Sequence, residues 1–153
     1  MAATLRPDEV RARLAAALEG LTVLAGTLRE APCSFDAFPA EVPQARRHLA
    51  FAVSLSRTSE APEQRQRQGR PLRVSHDVAV RLLHRQRKTD TVADIDAAMR
   101  AEAAVVVAVL GASSSDGLQV TYAGTSARRD AGSPEDAYLI QLEFTAAHHI
   151  PTV

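Results

Sequence analysis

The sequence predicts an α+β domain, with a mostly antiparallel sheet of about four strands and two main helices packed on it. Two segments repeat apolar residues every three or four positions, which is typical of amphipathic helices. Four other segments alternate apolar and polar residues, which is typical of strands with one buried face. The predicted order is α-β-β-α-β-β, and residues 1–153 make a single domain by length.

The first helix is expected from Pro7 to about Glu30. Leucines, alanines and a valine recur along it at helical spacing, and Pro7 suits the first position of a helix. Gly20 and Gly26 weaken this helix locally. Three prolines then predict an irregular segment over 31–47.

The first two strands are expected over 48–56 and 72–84, separated by an exposed polar connection over 57–70. The second strand, LRVSHDVAVRLLH, has an apolar face of even-numbered positions that includes His76. Asp77 must point to the opposite face, so these two neighbours cannot form a catalytic dyad. His76 is therefore interpreted as a core or subunit-contact histidine.

The second helix is expected over 91–110. Its predicted buried stripe consists of Val92, Ile95, Met99, Ala103, Val106 and Leu110. The run Val105–Val107 widens the apolar face, which suggests burial on more than one side. With this register, Ile95→Asp or Val106→Asp is expected to unfold the monomer.

Two further strands are expected to close the domain. A short one covers Leu118–Tyr122, an exposed loop follows over 123–136, and the last strand shows an apolar face from Tyr138 to Ala146. The other face of the sheet is expected to pack against another copy of the chain, because its residues are small or apolar. These residues are Ala50, Ala52, Ala79, Leu83, Thr145 and Ala147.

Composition excludes several classes of function. Lys+Arg and Asp+Glu number 18 each, so the chain gives no electrostatic reason for stable nucleic-acid binding. Cys33 is the single cysteine, which rules out an intrachain disulfide and a thiolate zinc site. No apolar run reaches the roughly 20 residues of a membrane span. The N-terminus also lacks the apolar core of a secretory signal.

No catalytic, cofactor-binding or metal-binding residue is assigned. The sequence contains no glycine-rich phosphate loop, no GxSxG elbow and no HExxH motif. His148 and His149 are neighbours near the chain end, so their side chains diverge, and both are interpreted as incidental surface histidines. The sequence therefore favours a protein that is not an enzyme and needs no cofactor.

Charged residues supply the candidates for an assembly interface. Those in loops or at element ends are interpreted as solvated surface; if several faced a common channel, they would line a pore through which nucleic acid passes. Asp77 and Arg81 belong to a mixed charged strand face that is either solvated or buried against another subunit. The candidates are Arg65, Arg67, Arg70, Asp77, Arg81, Arg128 and Arg129.

The leading helix is followed by three stretches: LRVSHDVAVRLLHR, TDTVADIDAAMRAEAAVVVAVL and YLIQLEFTAAHH. Over about residues 7–149, this order of elements resembles the tail terminator proteins of long-tailed bacteriophages and related phage-derived tail assemblies. The resemblance implies a virion protein of the tail or neck, made in the host bacterial cytoplasm, that forms a ring, typically a hexamer.

Such a ring would cap the tail tube, end its polymerisation and form the interface on which the head docks. The implied partners are further copies of the chain, the tail tube protein and a head-tail connector or neck protein. DNA would be present only in transit through the lumen, and no membrane is involved.

Two other interpretations stay open. A head-completion or connector protein of the phage neck would be built similarly. A small ligand-binding or hydrolytic α+β domain would require a pocket that joins His76 with residues from elsewhere in the chain.

Overall fold

The computed structural model confirms the α+β class. It describes residues 4–24, 26–60, 72–86, 91–113, 117–129 and 137–151. In this part of the chain the α-helices are α1 (Pro7–Leu18) and α2 (Thr91–Gly111), and a short 3₁₀ helix covers Gln44–Arg46. The strands are β1 (Thr22–Val23), β2 (Gly26–Thr27), β3 (Arg29–Glu30), β4 (Ala50–Glu60), β5 (Leu72–Arg85), β6 (Gln119–Arg129) and β7 (Ala137–Ile150).

The main sheet has the strand order β3-β4-β5-β7-β6 within the described residues, and β1 and β2 form a separate hairpin. Strand β3 pairs parallel with β4, whereas all the other neighbours in the main sheet pair antiparallel. The predicted count of about four strands and the predicted element order are therefore wrong. The sequence prediction missed the short strands β1, β2 and β3, which lie between α1 and β4.

Helix α1 ends at Leu18, so the first helix predicted from Pro7 to about Glu30 is too long. Gly20 adopts a φ of 79°, a left-handed conformation that glycine tolerates better than other residues. Its N–H donates to the carbonyl oxygen of Leu28 at 2.9 Å, which turns the chain back on itself. The helical spacing beyond Gly20 therefore lies in a hairpin and not in a helix.

Strand β5 confirms the strand predicted over 72–84. It lies at the centre of the main sheet, and its even-numbered positions from Val74 to His84 are buried. Strand β7 pairs with β5 along its whole length, with Val80 opposite Leu142. The alternation predicted for the last strand is confirmed by the burial of Ile140, Leu142 and the other even-numbered positions up to His148.

Strand β4 extends into the first predicted loop. It covers Ala50–Glu60, so residues 57–60 belong to a strand and not to the connection predicted over 57–70. It also begins later than predicted, because Leu49 has a positive φ of 59°, which interrupts an extended backbone. The rest of the predicted loop, 61–70, lies outside the described residues.

Strand β6 extends further than predicted, into the loop expected over 123–136. Residues 124–129 remain paired with β7, past a β-bulge at Ala123. The bulge absorbs one extra residue, so pairing resumes on its far side instead of ending. The remainder of this predicted loop, 130–136, lies outside the described residues.

Both faces of the sheet are covered, though unequally. Helices α1 and α2 bury the larger core on one face, which includes Phe51, Leu82 and Leu142. Burial of each such large side chain stabilises the fold by about 1.5–3 kcal/mol.

The other, outer face is covered in part by the segment 31–42, whose Phe38 is 3% exposed. Phe38 lies in one apolar cluster with Ala50, Ala52 and Leu83. The expectation that these three sheet residues contact another copy is therefore wrong, since a segment of the same chain packs over them.

Candidate functional site

Helix α2 buries the side opposite to the predicted one. Its buried residues are Ala98, Ala101, Val105 and Val109, which belong to the core between the helices and the sheet. Of the predicted buried stripe, Val92, Ile95, Met99 and Leu110 are exposed instead, so the predicted register is wrong; only Val106 is half-buried against the core. We call the exposed set the α2 stripe: Val92 (69% exposed), Ile95 (37%), Met99 (61%), Val107 (70%) and Leu110 (36%).

The size of the side chains gives a physical reason for this register. Alanines at 98 and 101 let α2 approach the core closely, since the distance between packed elements depends on the side chains at the contact. The larger Met99 is left on the outside. From Ala103 to Leu110 the helix is apolar on all sides, so periodicity alone cannot distinguish the buried face from the exposed one.

An exposed apolar stripe of this kind marks an interaction surface. Arg100 is exposed and lies about 100° around the helix from Met99, on one flank of the stripe. Glu102 lies on the other flank and is half-buried. Within the described residues Arg100 has no ion pair, so its charge is available to an incoming surface.

The outer face of the sheet offers a second uncovered surface, beyond the segment 31–42. We call it the open outer face: Ser56, Asp77, Ala79, Thr145 and Ala147, all exposed or half-buried. In the strand register, Asp77 lies between Ser56 of β4 and Thr145 of β7. The predicted divergence of Asp77 from His76 is confirmed, since Asp77 is exposed on this face whereas His76 is buried on the other.

Arg81 shares the outer face with Asp77 but makes its contacts within the subunit. Its guanidinium donates hydrogen bonds to the carbonyl oxygen of Phe35 at 3.0 Å and to Oε1 of Gln141 at 3.1 Å. The same group lies 4.2 Å from the centroid of the Phe35 ring, in a cation–π contact. Arg81 thus joins the covering segment 31–42 to the sheet.

Of the basic interface candidates in the two predicted loops, only Arg128 and Arg129 lie within the described residues. Arg128 is exposed on β6, and Arg129 is the last residue of that strand. Arg65, Arg67 and Arg70 lie outside the described residues. The pore predicted for several of these side chains therefore stays a prediction.

The sequence interpretation missed a contact between His76 and His148. Each is 1% exposed, and their Nε2 atoms lie 2.7 Å apart. His76 lies opposite Ala146 in the register, so His148 is its diagonal neighbour on the same face. His76 is a core histidine, as one interpretation held, whereas the interpretation of His148 as a surface residue is wrong. The sequence did contain a signal for its burial, because His148 is an even-numbered position, like the apolar residues on the buried face of β7.

One assignment of protons satisfies every hydrogen bond of this pair in the neutral state. The carbonyl oxygen of His149 only accepts, so His148 donates to it from Nδ1 at 3.3 Å. The Nε2 of His148 then accepts a proton donated by Nε2 of His76. The Nδ1 of His76 in turn accepts from the hydroxyl of Thr58 at 3.0 Å.

The surroundings of the pair favour this neutral state. Burial lowers the pKa of both His76 and His148 below the ordinary value of 6.5. A positive charge on His148 lowers the pKa of His76 further, and a charge on His149 lowers the pKa of His148. Hydrogen bonds to the backbone of His149 and Leu5 act in the opposite direction on His148 and offset part of this effect.

Two surface depressions bear on the pocket that a hydrolytic domain would need. The larger, about 470 Å³, is lined in part by Arg29, Arg46 and His48, and the smaller, about 340 Å³, in part by Cys33. Neither includes His76, the residue that such a pocket was required to join. Among the described residues, no group of three or more His, Cys, Asp or Glu side chains is arranged to hold a metal ion.

Comparison with known proteins assigns no family to this chain. No protein-family model matches it, and a search of curated proteins found no match. Within the part of the chain that the structure describes, no helix has the length and apolar character needed to cross a membrane.

Proposed function

We propose that this protein is a structural subunit that assembles into a ring, caps a phage-type tail tube and forms the interface on which the head docks. The observation that carries the proposal is the α2 stripe. Helix α2 is buried through Ala101 and Val105 on one side, yet exposes Met99 and Val107 on the other. A helix that is apolar on both sides is expected to be covered on both sides.

The proposed cover for the α2 stripe is the open outer face of a second copy. The two surfaces lie on opposite sides of the main sheet, because α2 packs on one face and Asp77 projects from the other. Contacts between two unlike surfaces are head-to-tail, and they generate a closed ring when the rotation between neighbours closes. A contact of the stripe with itself would stop at a dimer.

Charge supports this pairing of surfaces. Arg100 flanks the α2 stripe, and Asp77 is the exposed carboxylate of the open outer face. Within the described residues neither forms an ion pair, so a head-to-tail contact brings together two charges of opposite sign. Complementary charges of this kind fix the register of an interface more than they add affinity.

The resemblance to tail terminators supports the tube as the target of the ring. The resemblance covers almost the whole chain. In a terminator, DNA passes through the lumen of the ring and is not stably bound there. The neutral charge balance of 18 basic and 18 acidic residues agrees with transit and gives no reason for retention.

Assembly is tested by light-scattering mass as a function of concentration, with the same samples imaged by negative-stain microscopy. Met99→Asp places a charge in the α2 stripe and is expected to abolish the ring. Ala12→Asp places the same charge at an exposed position of α1 and serves as the matched control. Both variants are expected to fold like the wild type, as judged by circular dichroism.

A second assay uses purified tail tubes, because a cap can require the tube end as its template. Gold-labelled wild-type protein is expected at one end of each tube, and Met99→Asp protein is not. Binding to neck or head complexes instead of tubes would indicate the connector interpretation. A wild-type protein that stays monomeric at all concentrations and binds none of these structures would contradict the proposal.

A further inference from the structure

The histidine pair is linked to the N-terminal segment at the end of β7, by a hydrogen bond from His148 to the backbone of Leu5 and by a carbonyl group on which both residues converge. The carbonyl oxygen of His149 accepts from Nδ1 of His148 and also from the backbone N–H of Leu5, at 2.8 Å. Thr4 extends this contact by a parallel bridge to His149. The side chain of Leu5 is half-buried against the larger core. The residues before α1 are thus held at the end of β7 by the strand that carries His148.

Successive protonation acts on this link in two steps. A first proton at Nδ1 of His76 is tolerated, because the Thr58 hydroxyl rotates to accept it and Nε2 of His76 still donates to His148. A second proton at Nε2 of His148 places two N–H groups against each other across 2.7 Å. Two like charges at that distance repel, so the two rings must separate.

We propose that His76 and His148 form an acid-sensitive latch, in which double protonation separates the rings and releases Thr4 and Leu5 from the end of β7. His148 moves with its own backbone, and that backbone carries the carbonyl on which Leu5 is held. The latch is a property of one subunit and does not depend on the proposed ring.

The groups around the pair offset only part of a double charge. Hydrogen bonds to the backbone of His149 and Leu5 favour a charge on His148, but burial opposes that charge more strongly. Strand β4 contributes the uncharged Thr58, and β7 contributes His149, whose charge opposes that of His148. At the start of α1, the carboxylates of Asp8 and Glu9 are exposed and already contact Arg6. The charged neighbours of His76 on β5, Arg73 and Asp77, have odd numbers and face the other side of the sheet.

The proton assignment is tested first, in the wild-type protein, by long-range nitrogen–proton NMR at about pH 7.5. The expected result is a proton on Nε2 of His76 and on Nδ1 of His148. Any other pair of neutral tautomers would overturn the hydrogen-bond chain on which the latch rests.

Release is tested by hydrogen exchange of the Leu5 amide, as protection factors at about pH 7.5 and about pH 5. Protection of Leu5 is expected to fall by about tenfold or more at the lower pH, which corresponds to one unit of pKa difference. Amides at the centre of β5 are expected to stay protected, which distinguishes local release from global unfolding. Equal protection of Leu5 at both pH values would overturn the latch.

Variants separate this pair from the other histidines. His148→Gln cannot become charged and is expected to make Leu5 protection independent of pH over this range; His76→Gln replaces it if His148→Gln does not fold. His48→Gln is the control, because His48 accepts from the N–H of Arg85 at the opposite end of β5 and should leave the pH response unchanged. If the pH dependence of Leu5 protection persists in folded His148→Gln or His76→Gln protein, other groups cause it and the proposal is overturned.

Discussion

Val105→Asp and Val107→Asp introduce the same carboxylate on opposite sides of α2. Val105 is fully buried, whereas Val107 is 70% exposed. At position 105 the change removes about 1.5–3 kcal/mol of apolar burial and places an unpaired charge in the core, which costs several kcal/mol more. The free energy of unfolding of a domain is about 5–15 kcal/mol, so this variant is expected to be largely unfolded. At position 107 the cost is expected to be within about 0.5 kcal/mol.

The assay is urea unfolding, followed by circular dichroism at low protein concentration so that the monomer is observed. With a slope of about 1–3 kcal/mol per molar urea, a loss of about 5 kcal/mol moves the midpoint by about 2 M or more. Val107→Asp is expected to keep the wild-type midpoint. Ile95, which is 37% exposed, should now also tolerate aspartate, contrary to the expectation from sequence. Equal destabilisation at 105 and 107 would refute the register described for α2.

Three further predictions concern stability. Burial lowers the pKa of His76 and His148, so below their ordinary pKa of 6.5 the unfolded chain binds more protons than the folded chain. The contribution of this pair to the free energy of unfolding should therefore be constant above that pH and fall below it. Urea titrations across pH measure this. Arg81→Ala should cost about 1–3 kcal/mol, because it removes the charged donor to the Phe35 carbonyl, which keeps only the N–H of Phe38, and the hydrogen bond to Gln141. Faster proteolysis within 31–42 would show that the covering segment is loosened. Arg128→Glu on exposed β6 should leave the urea midpoint unchanged and alter only the assembly measured by light scattering.

The sequence predicted best where one physical preference decides the structure. In β5 and β7, side chains alternate between an apolar and a polar face, and a shift by one residue would expose the whole core set. The even-numbered positions of both strands are buried as predicted. The same rule places His76 and His148 on one face of the sheet. Their contact could not be predicted without knowing that β5 and β7 are neighbours and in which register they pair.

The prediction failed where two preferences compete. The leucine spacing beyond Gly20 favours a helix, whereas the left-handed conformation of that glycine favours a turn, and the turn wins. In α2 the apolar residues surround the helix, so the choice of buried face depends on how closely the alanines can pack. The covering segment 31–42 is irregular and has no periodic signal, which is why the burial of Leu83 was assigned to another copy.

The α2 stripe and the open outer face also set a condition on any protein that caps a growing tube. A head-to-tail contact that does not close leaves one α2 stripe and one open outer face free at its two ends, and such an assembly continues to grow. A protein that ends the growth of another polymer cannot itself polymerise without limit. A closed ring satisfies this condition, because every stripe is then covered by the outer face of a neighbour. The decisive observation in the microscope is therefore closure: open filaments of the wild-type protein would agree with the contact proposed here and yet exclude the capping function.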